Sequence, residues 1–271
     1  MAMILLYLLS GTSCLREYEE PIIPPSQFTK SQREALGKQL KFAIVSNNDA
    51  FNFLPNIAPF DTTVYYFIQT LYDQATNQMR LDRRSPANNR WDPNRKWKIN
   101  ILQHPEKNIF VIPGGDLYLT TGLLRDLRSE HELYYLMAFE ATLMHEKFLF
   151  YQIINQFNTN SLSKIANGSN RQNEPNATDI VSIIDKLDFD VTKVKEVDEL
   201  TTQLICKSSI MNPLGIERIA DLNDNTWYWL DYRSNYAGRA GYVQRIIETS
   251  STPCGDFTTN GNYNRFVLEK I

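Results

Sequence analysis

Between Trp97 and Gln156 the chain changes its hydrophobic period once, and that single change sets what it can fold into. Trp97, Ile99 and Ile101 alternate with Lys98 and Asn100, the two-residue period of a half-buried strand. Residues 108–112 and 117–120 are two further strand segments, punctuated by Pro113-Gly114-Gly115, which reads as a turn. Ser129 followed three residues later by Glu132 is a capping-box pattern, and it opens a helical run that extends to about Gln156. Short strands close in sequence, leading into a long helix, predict an α+β arrangement.

The flanking segments add helices rather than strands. Residues 29–43 read as a first helix, and Val64, Phe67, Ile68, Leu71 and Tyr72 fall at helical spacing in a second, 64–79. A polar stretch, 80–96, links that helix to the strands. Residues 167–176 are turn-rich, and shorter helices are expected at about 178–187, 193–209, 213–223 and 239–248. Phe266 to Leu268 reads as a last strand. The aromatic run Trp227-Tyr228-Trp229 serves either a core or a sticky surface. There is no internal repeat and no composition break, so 30–271 reads as a single domain, mostly helical, with a small β-sheet or hairpin beside the long helix.

The N-terminus reads as an address. An apolar stretch, residues 3–9, is followed by Ser10-Gly11-Thr12-Ser13-Cys14, which resembles a bacterial lipoprotein signal. On that reading 1–13 is the signal peptide, Cys14 is the lipidated residue, and 14–29, with three prolines, is an extended tether. No later segment has the 18 or so consecutive apolar residues of a membrane span. The expected place is the outer membrane, lipid-anchored and facing the periplasm. A net charge of −3 gives no nucleic-acid footprint. Cys206 and Cys254 either pair, given an oxidising compartment, or stay as thiols with Cys206 buried on a helix.

The order of motifs in the centre resembles a known family. Trp97-Lys98-Ile99-Asn100-Ile101 precedes a run from Asn108 through Pro113-Gly114-Gly115 and Tyr118-Leu119-Thr120-Thr121 to Gly122-Leu123-Leu124. Glu130-His131-Glu132-Leu133 then opens the helix. This is similar to the HtpX-type (minigluzincin) zinc metalloproteases over about 97–148 and again over 189–213. The resemblance implies a metalloprotease-like fold with a zinc site on the long helix. The family's chemistry needs HExxH, two His one helical turn apart as ligands and a Glu between them to activate the metal-bound water.

Here that stretch is Phe139-Glu140-Ala141-Thr142-Leu143, so only Glu140 remains. The third ligand, a Glu on a later helix, falls at Val194, while Glu196 and Asp198 keep the family's identities ahead of Met211-Asn212-Pro213. Phe, Leu and Val offer no N, O or S donor, so the resemblance implies no metal, no cofactor and a dry contact where zinc would sit. Glu140 beside such a contact must find a partner or neutralise. The three histidines, His104, His131 and His145, read as surface residues. Arg233, Arg239 and Arg245 are candidates for the Arg the family carries in its C-terminal part.

The expected function is therefore that of a pseudoprotease: an accessory, chaperone-like or structural subunit. Its expected partners are envelope proteins, including the outer-membrane β-barrel assembly machinery. By family analogy Gly114, Gly115, Asp116, Leu117, Tyr118, Leu119 and Thr120 lie near an edge that receives extended polypeptide by strand addition. Two other readings compete: an active hydrolase with divergent ligands built on Glu140 and His145, and a plain scaffold lipoprotein acting through its aromatic surface.

Overall fold

The computed structural model describes residues 28–46, 54–55, 62–81, 97–169, 171–208, 211–222, 226–233, 236–256 and 261–271. The expected signal peptide, Cys14, most of the expected tether and most of the polar linker therefore lie outside the described residues, while residues 80 and 81 belong to α2. In chain order the elements are α1 (Lys30–Ser46), β1 (Leu54–Pro55), α2 (Thr62–Leu81), β2 (Ile99–Gln103), β3 (Ile109–Val111) and β4 (Leu117–Thr120). Then follow α3 (Thr121–Asp126), α4 (Glu130–His145), α5 (Phe148–Phe157), α6 (Thr159–Ala166), α7 (Ala177–Ile184) and α8 (Val191–Ser208). A 3-10 turn (Pro213–Gly215), α9 (Ile216–Ala220), α10 (Tyr228–Tyr232), α11 (Arg239–Thr249) and a π-helical turn (Asn264–Leu268) complete the chain. The architecture is α+β and mostly helical, as expected.

The sheet is small and mixed, in the order β1-β2-β4-β3. β2 runs parallel to β4 with Ile99 opposite Leu117, while β3 pairs antiparallel to β4 with Phe110 opposite Tyr118. Gly114 and Gly115, at φ 102° and 90°, make the reversal between β3 and β4. Gly115 N–H donates to Ile112 O at 2.8 Å, and the Tyr72 hydroxyl donates to Gly115 O at 3.0 Å. A side chain at Gly115 would run into the Trp97 indole, so glycine is required both for its φ and for room.

α4 is the central element, with every side chain from Glu130 to Leu143 buried. Its start matches expectation: Ser129 accepts from Glu132 N–H as N-cap, although the Glu132 carboxylate returns to Arg128 N–H rather than to Ser129. α2, α8, β3 and the 3-10 turn pack around it. Buried apolar residues from Phe28 to Val267 form one connected core. Phe28, at the end of the expected tether, is 2% exposed and its ring lies 5.0 Å from that of Phe150.

Several expectations are corrected. The long helix does not reach Gln156 unbroken; it stops at His145, and Lys147 adopts a left-handed φ of 66° before α5 begins. The break lets Phe148, Leu149, Phe150, Ile153 and Ile154 fold back as the apolar face of a separate helix. Phe266–Leu268 is not a strand but part of the π-helical turn. α3 and α6, six and eight residues long, carry too few apolar positions to show a period and were missed.

Candidate functional site

α4 and α8 cross where the resemblance places the metal, and the side chains there form a closed interior. Phe139, Glu140, Leu143 and Val194 are each 0% exposed. The Phe139 ring meets Trp229 edge-on at 5.2 Å between centroids. The Arg239 guanidinium sits 5.0 Å from the Phe139 ring and 4.9 Å from that of Trp229. Thr201, on α8, donates to the Thr142 hydroxyl on α4 at 3.1 Å, a polar stitch beside the apolar contact.

Glu140 is fully partnered. Its Oε1 accepts from Arg233 Nε at 2.8 Å and from Trp229 Nε1 at 2.9 Å. Its Oε2 accepts from Val111 N–H at 3.3 Å and from Arg233 Nη2 at 3.4 Å. Arg233 in turn donates through Nη1 to Leu187 O at 2.9 Å and lies over the Phe189 ring. A buried carboxylate with two cationic and two neutral donors has its lone pairs satisfied, the condition under which a buried ion pair is tolerated.

A second buried pair lies one helix away. Asp198 on α8 accepts from Arg239 Nε at 2.9 Å and Nη2 at 2.8 Å in a bidentate fork. It also accepts from the Tyr135 hydroxyl at 2.8 Å and the Tyr236 hydroxyl at 2.9 Å. Burial, with the Asp198 charge beside them, raises the pKa of both Tyr135 and Tyr236, so both phenols stay protonated as donors. Burial alone would lower the Arg239 pKa, but Asp198 outweighs it and the guanidinium is raised above its ordinary value. The two pairs are joined where Arg239 Nη1 donates to Arg233 O at 3.4 Å.

Of the Arg candidates, Arg233 and Arg239 are thus at the site, and Arg245 is exposed beside Tyr242. Glu196 is not: it pairs with Lys193 at 2.7 Å. The partners Trp229, Tyr135 and Tyr236 were not foreseen as site residues, and Trp227 and Trp229 are core, at 0% and 1% exposed, rather than a sticky surface.

The histidines correct another expectation, because none is a free surface residue. His104 is 8% exposed, and its Nδ1 accepts from Glu106 N–H at 3.3 Å. His131 is 2% exposed and accepts from Asn212 N–H at 3.2 Å. The His145 side chain is 8% exposed and lies 3.7 Å from the Glu146 carboxylate, and the donors to Glu140 are Arg233, Trp229 and Val111 rather than this imidazole. Phe139, Leu143 and Val194 do not fit a zinc ion, since they supply no donor atom. Among the described residues no group of three or more His, Cys, Asp or Glu is placed to hold a metal.

The expected polypeptide edge is also corrected. Gly114 and Gly115 form the turn, and Asp116 pairs with Lys41 at 2.7 Å. Leu117, Tyr118, Leu119 and Thr120 form β4, which is flanked by β2 and β3 and has no open side. The edge is β3. Thr120 N–H to Asn108 O and Ile112 N–H to Asp116 O are ladder bonds, so the N–H groups of Ile109 and Val111 face away from β4. Both are already taken, Ile109 by the Asn108 side chain at 2.9 Å and Val111 by Glu140. Nearby, Lys107 N–H donates to Thr226 O at 3.0 Å, so the chain's own C-terminal part lies against this side of the sheet.

Cys206 and Cys254 form a disulfide that ties α8 to the segment after α11. No model of a known protein family matches the chain, and no curated protein matches it.

Proposed function

We propose that this chain is a non-catalytic, metalloprotease-like envelope lipoprotein. On this reading it is anchored through Cys14 to the outer membrane, faces the periplasm, and serves as an accessory subunit in outer-membrane protein assembly or quality control. The reading is carried by Glu140. The one catalytic residue that the resemblance retains is enclosed, ion-paired to Arg233, and surrounded by Phe139, Leu143 and Val194 in place of ligands. A carboxylate held this way has no lone pair left for a water, and Phe139, Leu143 and Val194 supply no donor that would hold a metal to acidify one.

The Cys206–Cys254 disulfide supports export, since such bonds persist in oxidising compartments. The occupied donors of β3 favour a docking subunit over a chaperone that threads clients along a sheet edge.

The test is a pull-down of tagged protein from envelopes in mild detergent, with metal analysis on the eluate and a peptidase assay on unfolded outer-membrane protein. Stoichiometric envelope partners, no zinc and no cleavage are expected. One zinc per chain, or cleavage abolished by Glu140→Gln, would overturn the reading.

A further inference from the structure

Among the described residues, the first helix has one exposed face. Leu36, Leu40, Ala43 and Ile44 of α1 are buried, and α6 and α7 pack against the helix. The opposite face carries Lys30 and Lys38, both exposed, with Phe42 and Val45 at 70% and 56% exposure. At 3.6 residues per turn these four fall within about 120° of arc. Phe42 lies one turn beyond Lys38 on the same side. Across its length α1 holds Lys30, Arg33, Lys38 and Lys41 against a single acid, Glu34, although the chain as a whole is net acidic at −3.

We infer that this face of α1 lies on an anionic lipid surface, with the Phe42 and Val45 side chains inserted at the headgroup boundary and Lys30 and Lys38 among the phosphates. Single exposed apolar side chains are ordinary on their own. Here a large one stands beside lysines on a helix whose net charge opposes that of the protein, the pattern of an interfacial helix. Area decides against a protein partner, because a stable interface needs roughly 800 Å² per side and two side chains do not supply it. A bilayer asks for less: each lysine near an anionic surface strengthens binding roughly fivefold, and burying a phenylalanine side chain adds roughly tenfold or more.

The position in the chain fits as well. α1 begins at Lys30, the first helix after Cys14 among the described residues, so an anchor at Cys14 would deliver it to the membrane first. The inference gives the anchored protein an orientation. It rests on the anchoring reading only for which membrane lies within reach.

The chain from residue 14 onward, carrying Cys14→Ser so that no acyl chain contributes, is sedimented with phosphatidylglycerol/phosphatidylcholine vesicles and with pure phosphatidylcholine vesicles. Salt-sensitive binding to the anionic vesicles is expected, weakened roughly fivefold by Lys38→Gln and roughly tenfold or more by Phe42→Ser. Tyr66→Ser, which removes an equally exposed aromatic on α2, should change nothing. Several outcomes would overturn the inference: equal binding by parent and variants, loss of binding in Tyr66→Ser, a dimer that dissolves in Phe42→Ser, or a fall in Tm showing that the chain itself covers Phe42. Labelling of Cys14 by radioactive palmitate in cells reports the anchor separately, so either claim can fail alone.

Discussion

The Glu140 carboxylate and the Arg233 guanidinium, 93 residues apart in sequence, meet at 2.8 Å with side chains 0% and 1% exposed. Removing one partner leaves the other as a buried, uncompensated charge. Arg233→Met and Glu140→Leu are each expected to destabilise the protein by roughly 3–5 kcal/mol, and the double replacement to recover most of that loss. Urea unfolding of the parent, the two single variants and the double completes a thermodynamic cycle. Additive losses would show that the two groups are not coupled.

The Asp198 site makes a sharper demand on geometry than on charge. Arg239 reaches both carboxylate oxygens through Nε and Nη2. A lysine keeps the charge but cannot form the fork, and it loses the bond to Arg233 O. Arg239→Lys is expected to cost about 2 kcal/mol or more, read as a lowered Tm. Tyr135→Phe, which removes one of the two phenolic donors to Asp198, should cost about half as much. A Tm for Arg239→Lys equal to the parent's would show that charge alone suffices.

Asp185 gives a pH signature. Burial raises its pKa from 3.8 to about 6, against the opposing pull of Lys186, its backbone hydrogen bond and Arg233, with Glu106 adding to the rise. Asn108 Nδ2 donates to its Oδ2 at 3.2 Å. The folded state therefore holds this proton more tightly than the unfolded chain does. The contribution is fully present below about pH 4 and is lost as pH rises through about 6, a fall on the order of 2–3 kcal/mol. Asp185→Asn should flatten that stretch of the stability–pH curve. An unchanged slope between pH 4 and 6 in the variant would place the titrating group elsewhere.

The disulfide encloses a loop with a sequence separation of 48 that includes the whole of α9, α10 and α11. Cys206→Ala with Cys254→Ala is expected to cost about 2–4 kcal/mol, and dithiothreitol should lower the Tm of the parent by a similar margin while leaving the variant unchanged. Thiol titration of the unreduced, denatured protein checks the bond directly. Two reactive thiols from these positions would contradict it.

The parts of the fold that were legible in the sequence are those whose cause is local. The Ser129 cap, the alternation at Trp97 to Ile101 and the Gly114-Gly115 reversal are each dictated by residues within a few positions, and all are observed. Lys147 broke the long helix without a glycine or proline to announce it, because the gain comes from packing α5 elsewhere. The need of Glu140 for a partner was readable, since a carboxylate among apolar neighbours must be compensated. Trp229, Tyr135 and Tyr236 were not, because no period connects them to α4 or α8. The burial of His131 was out of reach for a related reason: Glu130 and Glu132 beside it suggest a solvated first turn, whereas Asn212, 81 residues away, donates to its ring.

Strand β3 carries a last consequence. Exposed sheet edges are where folded chains template one another into aggregates. At one edge here the outward N–H groups are taken by Asn108 and Glu140, and at the other β1 is two residues long and ends in Pro55, which has no N–H to offer. Copies of the chain brought side by side would find the outward N–H groups of β3 already bonded within their own chain, so this edge offers a neighbouring strand no free donor with which to start a shared sheet.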